Sequence, residues 1–262
     1  MSIKPGTRWI ISVFLIVACC NAYASTPEVP VLMYHEITDG KTPGDQTHIS
    51  LLRFEEQMDW LAENHYNSLT LDEFIAFMQG ASVPDKSFVL TIDDGWKKFY
   101  DIGFPVLKQY GYPATLFLYT DLISSGHQTL SWQQIREMAE QGLDIQCHTK
   151  THRNLDIRNT GESLREYVDD IKAELSLSAE VIKRETGRDV SYLAYPYGGA
   201  NNLVVAYAQK MGYLGAFTVD RGANPFFVGN YRLKRTMIFG EYDLDKFIRV
   251  LDTYKKQAFV AN

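Results

Sequence analysis

The sequence has little cysteine and no long apolar segment beyond its first residues. Cys19 and Cys20 lie within residues 1–24, so Cys147 is alone in the rest of the chain, which excludes an internal disulfide there. No later apolar run reaches the length of about 20 residues that a transmembrane helix requires. Basic residues are in the minority, with 26 Lys and Arg against 32 Asp and Glu and a net charge of −6. Because duplex-binding proteins normally carry a basic surface, we do not expect nucleic acid as a partner.

Residues 1–24 have the pattern of a secretory signal peptide. Two basic residues precede a short apolar run, and a small-residue A-x-A cleavage site ends at Ala24. We predict cleavage after Ala24, a mature chain of residues 25–262, and a periplasmic or extracellular location. An uncleaved membrane anchor is one alternative. A lipoprotein attached at Cys19 is another, since the apolar residues before it loosely resemble a lipobox.

Short β-rich runs alternate with segments of helical periodicity along the remaining chain. Hydrophobic residues make up 45% of the sequence, enough for a sizeable core. The predicted strands are Val29–Tyr34, Phe88–Ile92, Ala114–Tyr119, Leu143–Cys147, Val190–Ala194 and Leu214–Val219. The predicted helices include Phe54–Asn64, Phe99–Tyr110, Trp132–Glu140, Ser163–Thr186, Val204–Met211 and Leu244–Leu251. Repeated β–α units predict a single α/β domain with a parallel sheet, either open or closed into a barrel.

Side chains capable of chemistry follow four of these predicted strands. They are His35, Asp93, Asp94, His148, His152 and the segment 195–199. In parallel α/β folds the functional groups gather at the carboxyl ends of the strands. We therefore expect these residues to line one cleft.

A metal site is predicted from the aspartates and two of the histidines. Gly95 permits a sharp turn after Asp93 and Asp94, so both carboxylates can face one cleft, one to bind a metal and one to handle protons. His148 and His152 are four residues apart, and on a helical turn they would face one side and share a cation. With Asp94 they leave a coordination position open for water, as catalytic sites do. The alternative is an ordinary Asp-Gly turn and two unrelated histidines in a polar loop.

The expected cation is divalent. Zinc is expected from this donor set, and cobalt, nickel and iron are compatible with two histidines and one carboxylate.

Three blocks, residues 91–95, 148–152 and 195–198, resemble signature motifs of the NodB-type polysaccharide deacetylases, carbohydrate esterase family four. They occur in the family's order, and the resemblance runs from about Pro30 to about Phe247. Residues 31–36 further resemble the subgroup that contains bacterial poly-N-acetylglucosamine deacetylases. The resemblance implies a distorted (β/α) barrel and a metal-dependent hydrolase that removes N-acetyl groups from an N-acetylglucosamine-containing polysaccharide.

The resemblance also implies a role for each site residue. Carried over by position, the metal ligands are Asp94, His148 and His152. Asp93 would be the general base, and the backbone N–H of Tyr197 would stabilise the oxyanion. In the resembled subgroup the general acid is a histidine of the first strand, here His35, which we expect to keep its proton near neutral pH while Asp93 stays ionised.

Three features depart from the family pattern. Ala194 stands where the family often has an arginine that orients the base. No histidine follows His152, so the usual Leu-x-His block near the C-terminus is absent. Asp220 and Arg221 are only a loose counterpart of the usual Asp-x-x-Asp-Trp block. These departures concern the acid and the orientation of the base rather than the metal ligands.

Other functions and substrates stay open at this stage. An esterase that removes O-acetyl groups from xylan would use the same metal and base, and a catalytically weak homologue would only bind carbohydrate. A glycosidase would place its two carboxyl groups ~5–9.5 Å apart across the substrate bond and need no metal, which the adjacent Asp93 and Asp94 fit poorly. The acetylated polymer itself is left open among poly-N-acetylglucosamine, chitin oligomers and peptidoglycan, and no protein partner is indicated.

Overall fold

The computed structural model describes residues 28–40, 46–222, 224–225 and 228–253. The predicted signal peptide and the alternative attachment at Cys19 fall outside these residues. Within the described part of the chain, no helix is long and apolar enough to cross a membrane.

Eight strands form one parallel sheet, and two more form a separate parallel pair. The strands are β1 (Val31–Tyr34), β2 (Glu36–Thr38), β3 (His48–Ser50), β4 (Asn67–Leu69), β5 (Ser87–Asp94), β6 (Thr115–Leu118), β7 (Asp144–Cys147), β8 (Tyr192–Ala194), β9 (Gly215–Phe217) and β10 (Thr236–Met237). In the large sheet the hydrogen-bonded order is β10-β1-β5-β6-β7-β8-β9, and β4 pairs with the first residues of β5. All six predicted strands are present, and the four that the sequence did not indicate have only two or three residues.

The segment before β10 links the two ends of the large sheet. The N–H of Leu233 donates to the Ala216 carbonyl in β9, and the N–H of Thr218 donates back to the Leu233 carbonyl. Three residues later, Thr236 pairs with Leu32 of β1. Since the segment contacts both outer regions of the sheet, the sheet curls into a distorted barrel, which confirms the predicted α/β class.

The described residues include seven α-helices, of which the first six connect strands and the last follows β10. They are α1 (Leu51–Glu63), α2 (Leu71–Met78), α3 (Phe104–Tyr110), α4 (Trp132–Glu140), α5 (Leu164–Thr186), α6 (Asn202–Lys210) and α7 (Leu244–Thr253). Ser163 caps the first turn of α5 reciprocally with Glu166, and Gly187 ends that helix in the left-handed conformation. The predicted helix at 99–110 is instead a π-helical turn at Phe99–Gly103 followed by α3. Pro105 lacks the N–H that a continuous helix would need at that point.

The strands divide the apolar core into two parts. In β6, Leu116 and Leu118 pack in the larger cluster with the surrounding helices, whereas Phe117 belongs to a smaller cluster inside the curled sheet. This division follows from the alternation of side chains along a strand. The inner cluster also contains Phe217 and Leu233, and it lies beneath the polar residues of the site.

Candidate active site

The backbone at the end of β5 turns two neighbouring carboxylates toward the same histidine. Asp94 has a φ of +81° and Gly95 a φ of +119°, so the alternation of side chains ends there. Asp93 Oδ2 lies 3.8 Å from His148 Nε2, and Asp94 Oδ1 lies 3.7 Å from the same nitrogen. A side chain on Gly95 would meet Ile123 at 2.7 Å and would be strained at this φ. The predicted turn is therefore present.

His148 and His152 come together, but the helical turn predicted between them is wrong. Residues 148–152 form a loop in which Thr149 and His152 both have positive φ angles, of 70° and 66°. The ring centroids of the two histidines are 4.8 Å apart. Local hydrogen bonds hold this shape, including one from the N–H of His152 to Thr149 Oγ1 at 3.2 Å. The sequence spacing indicated the pair correctly, and the backbone achieves it by a tight loop.

Three electron-pair donors converge between these elements. Asp94 Oδ1 lies 3.4 Å from His152 Nε2, and one ligand atom from each of Asp94, His148 and His152 lies within 4.8 Å of the others. Asp94 Oδ1 is buried and has no hydrogen-bond partner among the described residues. An unpaired buried carboxylate oxygen facing two imidazole nitrogens is costly, and a shared cation removes that cost. The residues present therefore fit a divalent metal ion.

Neighbouring groups fix the orientation of two of these donors. Nδ1 of His148 donates a hydrogen bond to the Ala194 carbonyl at 2.7 Å, which leaves Nε2 as the lone-pair nitrogen facing Asp94. The indole N–H of Trp96 donates to Asp94 Oδ2 at 3.1 Å, so Oδ1 is the carboxylate oxygen left for a cation. Ala194 thus contributes through its backbone, which no side-chain motif would indicate.

Arg235 belongs to the site although the sequence motifs did not predict it. Its guanidinium makes two parallel hydrogen bonds of 2.7 Å to the two carboxylate oxygens of Asp93. Further bonds run to the Thr218 carbonyl at 3.0 Å and to Thr91 Oγ1 at 3.3 Å. Both Arg235 and Asp93 are fully buried. Position 194 is an alanine in this chain, and the arginine that pairs with Asp93 is instead the residue directly before β10.

The groups around Asp93 keep its carboxyl group ionised. Burial raises the pKa of the Asp93 carboxyl, but the charges of Arg235 and His148 and the hydrogen bonds from Arg235 outweigh burial and bring the pKa to about 2. Asp93 is therefore a carboxylate at any pH near neutrality. Of the two aspartates, Asp93 has its oxygens committed to arginine, whereas Asp94 has one oxygen free of hydrogen bonds.

His35 directly follows β1, whose last residue pairs with Ile92 in β5. Burial lowers the pKa of His35, although the nearby charges of Asp93 and Asp94 oppose that effect. Burial thus works against the expectation that His35 keeps its proton near neutral pH, because desolvation disfavours the charged ring. Its electrostatic coupling to both aspartates places it at the same end of the sheet.

Tyr197 lies at the open side of the cluster. Its φ of 57° is unusual for a residue with a Cβ, and its side chain is 65% exposed. The Tyr197 ring packs against His152 with centroids 4.8 Å apart, and Tyr119 packs against the same histidine at 4.9 Å. No described residue accepts a hydrogen bond from the Tyr197 backbone N–H. A backbone N–H that has no acceptor and lies beside a candidate metal site can donate to an oxygen on which negative charge develops.

Most of the strands that carry these groups lie in a segment that matches a known protein family. Residues 80–216 match the profile of the family described as polysaccharide deacetylase. This range contains both aspartates, both histidines of the cluster and Tyr197, whereas His35 and Arg235 lie outside it.

Individual relatives agree with that match. The protein YxkH of Bacillus subtilis is 31% identical over 212 residues, which cover 80% of this chain and 71% of the relative. A poly-β-1,6-N-acetyl-D-glucosamine N-deacetylase of Staphylococcus epidermidis is 32% identical over 190 residues, covering 71% of this chain and 66% of that protein. The Streptococcus pyogenes deacetylase PplD, solved in complex with acetate, has the same fold with a TM-score of 0.77 at 24% identity, covering 86% of this chain and 99% of that one.

Proposed function

This chain belongs to the polysaccharide deacetylase family, and on that premise we propose that it removes N-acetyl groups from an N-acetylglucosamine-containing polysaccharide with the help of a bound divalent cation, zinc in the first instance. The relative from Staphylococcus epidermidis, named for its action on poly-β-1,6-N-acetyl-D-glucosamine, supports this class of substrate. The signal-like residues 1–24 support an exported enzyme that meets such a polymer in the periplasm or outside the cell.

The observation that supports the proposal is the position of Asp93. This buried carboxylate lies next to the three converging metal donors but is not one of them. Asp94, His148 and His152 would hold the cation, and Asp93 Oδ2 lies 3.8 Å from the His148 ligand nitrogen. The chemistry that a divalent cation supplies in such a site is a lowered pKa for a water molecule and polarisation of the acetyl carbonyl.

Asp93 is the proposed general base. It is ionised, since its pKa is about 2, and it is close enough to the cluster to accept a proton from a water molecule that attacks the acetyl carbon. Arg235 holds both oxygens of the carboxylate and so fixes the direction of its lone pairs. The backbone N–H of Tyr197 is the proposed donor to the oxyanion that develops on the acetyl oxygen.

His35 is the proposed general acid. An amine leaves poorly as an anion, so amide hydrolysis requires proton delivery to the nitrogen. Because burial lowers the pKa of His35, its protonated ring is a stronger acid than an exposed histidine and passes its proton readily to the amine.

Replacing His35 by alanine is expected to separate amide from ester hydrolysis. An acid of this kind contributes roughly 10²–10⁴ to the rate where the leaving group needs a proton. The His35→Ala variant should therefore lose about that factor in kcat on an N-acetylglucosamine oligomer and much less on an activated aryl acetate, whose leaving group departs as an anion. Equal losses on both substrates would remove His35 from the role of acid. His65→Asn is the matched control, because this exposed histidine lies two residues before β4, at the opposite end of the sheet, and asparagine tolerates its φ of 58°.

Acetate release from a panel of acetylated polymers tests the substrate class. The purified chain should release acetate from N-acetylglucosamine oligomers, with β-1,6-linked, chitin-type and peptidoglycan substrates compared side by side. Release from acetylated xylan with none from any N-acetylated substrate would instead make the chain an O-acetyl esterase. No release from any substrate by a folded, metal-loaded protein would leave a carbohydrate-binding homologue as the better account.

A further inference from the structure

Helix α5 inserts a buried carboxylate behind the loop that carries the two histidines. Glu174 Oε2 accepts hydrogen bonds from the backbone N–H of Lys150 at 2.9 Å and of Thr151 at 2.8 Å. Glu174 Oε1 accepts a third, from Thr151 Oγ1 at 2.6 Å. The side chain is almost fully buried, with 6% of its surface exposed. All three bonds reach residues that lie between His148 and His152.

Ser178, one turn further along α5, holds the start of the same loop. Its hydroxyl donates to the Thr149 carbonyl at 2.9 Å. It also accepts a bond from Cys147 Sγ at 3.3 Å, and the Thr149 N–H donates to that sulfur at 3.3 Å. Residues four apart on a helix face the same side, so Glu174 and Ser178 together contact every residue between the two histidines.

The loop needs this support because its backbone is strained. Thr149 and His152 both have positive φ angles, which residues with a Cβ adopt at a cost. Two consecutive N–H groups, those of Lys150 and Thr151, point away from the cation site and into the protein, where they would be unpaired without an acceptor. A neutral acceptor would form weaker bonds than a carboxylate does.

We propose that Glu174 is a positioning residue that sets the distance and orientation of His148 and His152, and thereby the affinity and coordination geometry of the cation they share with Asp94. The inference rests on the proposed function, since it requires a cation at that cluster. Glu174 contacts neither the cation nor the substrate. It acts through the loop backbone, and outer groups of this kind typically change metal affinity about 10–100-fold when they are lost.

Cobalt binding to the purified, metal-stripped chain tests the role of Glu174. Glu174→Gln keeps the shape of the side chain but removes its charge. The amide oxygen can still accept from the two backbone N–H groups, but these bonds become weaker, and the bond to the Thr151 hydroxyl must reverse its direction. We expect the Kd for Co²⁺, measured by competition with a coloured chelator, to rise about 10–100-fold. The visible absorption spectrum of the bound cobalt should change, because its ligands are displaced. Glu180→Gln, an exposed position on the same helix, is the matched control and should leave both readouts unchanged.

A second variant keeps the test decisive if Glu174→Gln folds poorly. Ser178→Ala removes the bond to the Thr149 carbonyl while leaving Glu174 in place, and we expect a smaller rise in the cobalt Kd with a spectral change in the same direction. Circular dichroism of the metal-stripped variants verifies folding. An unchanged Kd and spectrum in the folded variants, with cobalt bound normally by the unaltered chain, would overturn the role of Glu174 and leave the proposed function standing. Failure of the unaltered chain itself to bind cobalt would overturn both.

Discussion

Replacing Asp93 by asparagine is expected to lower kcat for acetate release by about 10³, within the range of 10²–10⁴ typical of a general base. The asparagine amide cannot accept the proton of the attacking water, although its size and position are nearly those of the carboxylate. KM should change much less, because the fully buried Asp93 carboxylate is bonded to Arg235 and is not proposed to hold the substrate. Steady-state kinetics on an N-acetylglucosamine oligomer measure both quantities.

The neighbouring aspartate provides the control for that variant. Asp94→Asn should bind the cation much more weakly, since its free oxygen is one of the three converging donors. Asp93→Asn should instead retain the cation, because both oxygens of Asp93 already accept bonds from Arg235. Metal analysis of the two purified variants separates the roles. Loss of the cation in Asp93→Asn, or full activity in that variant, would contradict the assignment of Asp93 as the base.

Arg235→Met is expected to destabilise the fold by about 3–5 kcal/mol, the usual cost of breaking a buried ion pair by removing one partner. The Asp93 carboxyl group would then be fully buried without the arginine that pairs with it. For a chain of this size the loss corresponds to a fall in Tm of roughly 6–20 °C. Thermal unfolding followed by circular dichroism measures it, and activity should fall as well, since the base is no longer oriented.

A double variant separates loss of the ion pair from loss of packing. The arginine also contacts the Phe117 ring, with its guanidinium carbon 5.5 Å from the centroid. In Asp93→Asn combined with Arg235→Met the buried charge is absent, so part of the lost stability should return. If the two single losses of stability simply add in the double variant, Asp93 and Arg235 act independently, which would contradict the ion pair in the structure.

The stability that Arg235→Met loses should depend on pH in a definite direction. Arg235 and His148 together overcome the effect of burial and hold the pKa of Asp93 at about 2, below the ordinary value of 3.8. A lowered pKa stabilises the fold above the ordinary value, and this stabilisation is lost as the pH falls through the lowered one. Without Arg235, burial instead favours the protonated carboxyl. The difference in Tm between the unaltered chain and Arg235→Met should therefore narrow as the pH is lowered from about 4 toward 2.

The sequence predicted the site residues that lie at the ends of strands of the sheet or directly follow them. Asp93, Asp94, His148 and His152 follow predicted strands of a parallel sheet, and such strands deliver their carboxyl ends to one edge. That rule needs only the order and type of the elements. It does not need the loop conformation, which is why the histidine pair is correct although its helical turn is wrong.

Arg235 and Glu174 were not predicted, because their roles depend on contacts across more than 20 residues of sequence. Arg235 reaches Asp93 across 142 positions, and it directly precedes a strand of only two residues, which is too short to show a periodicity. The sequence did contain an indication. Leu233 and Arg235 are two residues apart, so they face the same side of an extended segment, and an arginine is unusual on a side that packs in the inner cluster. Glu174 occupies a core-facing position of the amphipathic α5 helix, where a charge is equally unusual. A charged residue on an apolar face is thus the pattern that would have indicated both.

Acetate release from an N-acetylglucosamine oligomer, before and after removal of divalent cations, tests the central claim most directly. The unaltered chain should lose nearly all activity when stripped with a chelator and should recover it with about one equivalent of zinc, as a single donor cluster of Asp94, His148 and His152 requires. Release of acetate that is unaffected by complete removal of the cation would contradict the proposed chemistry of this site.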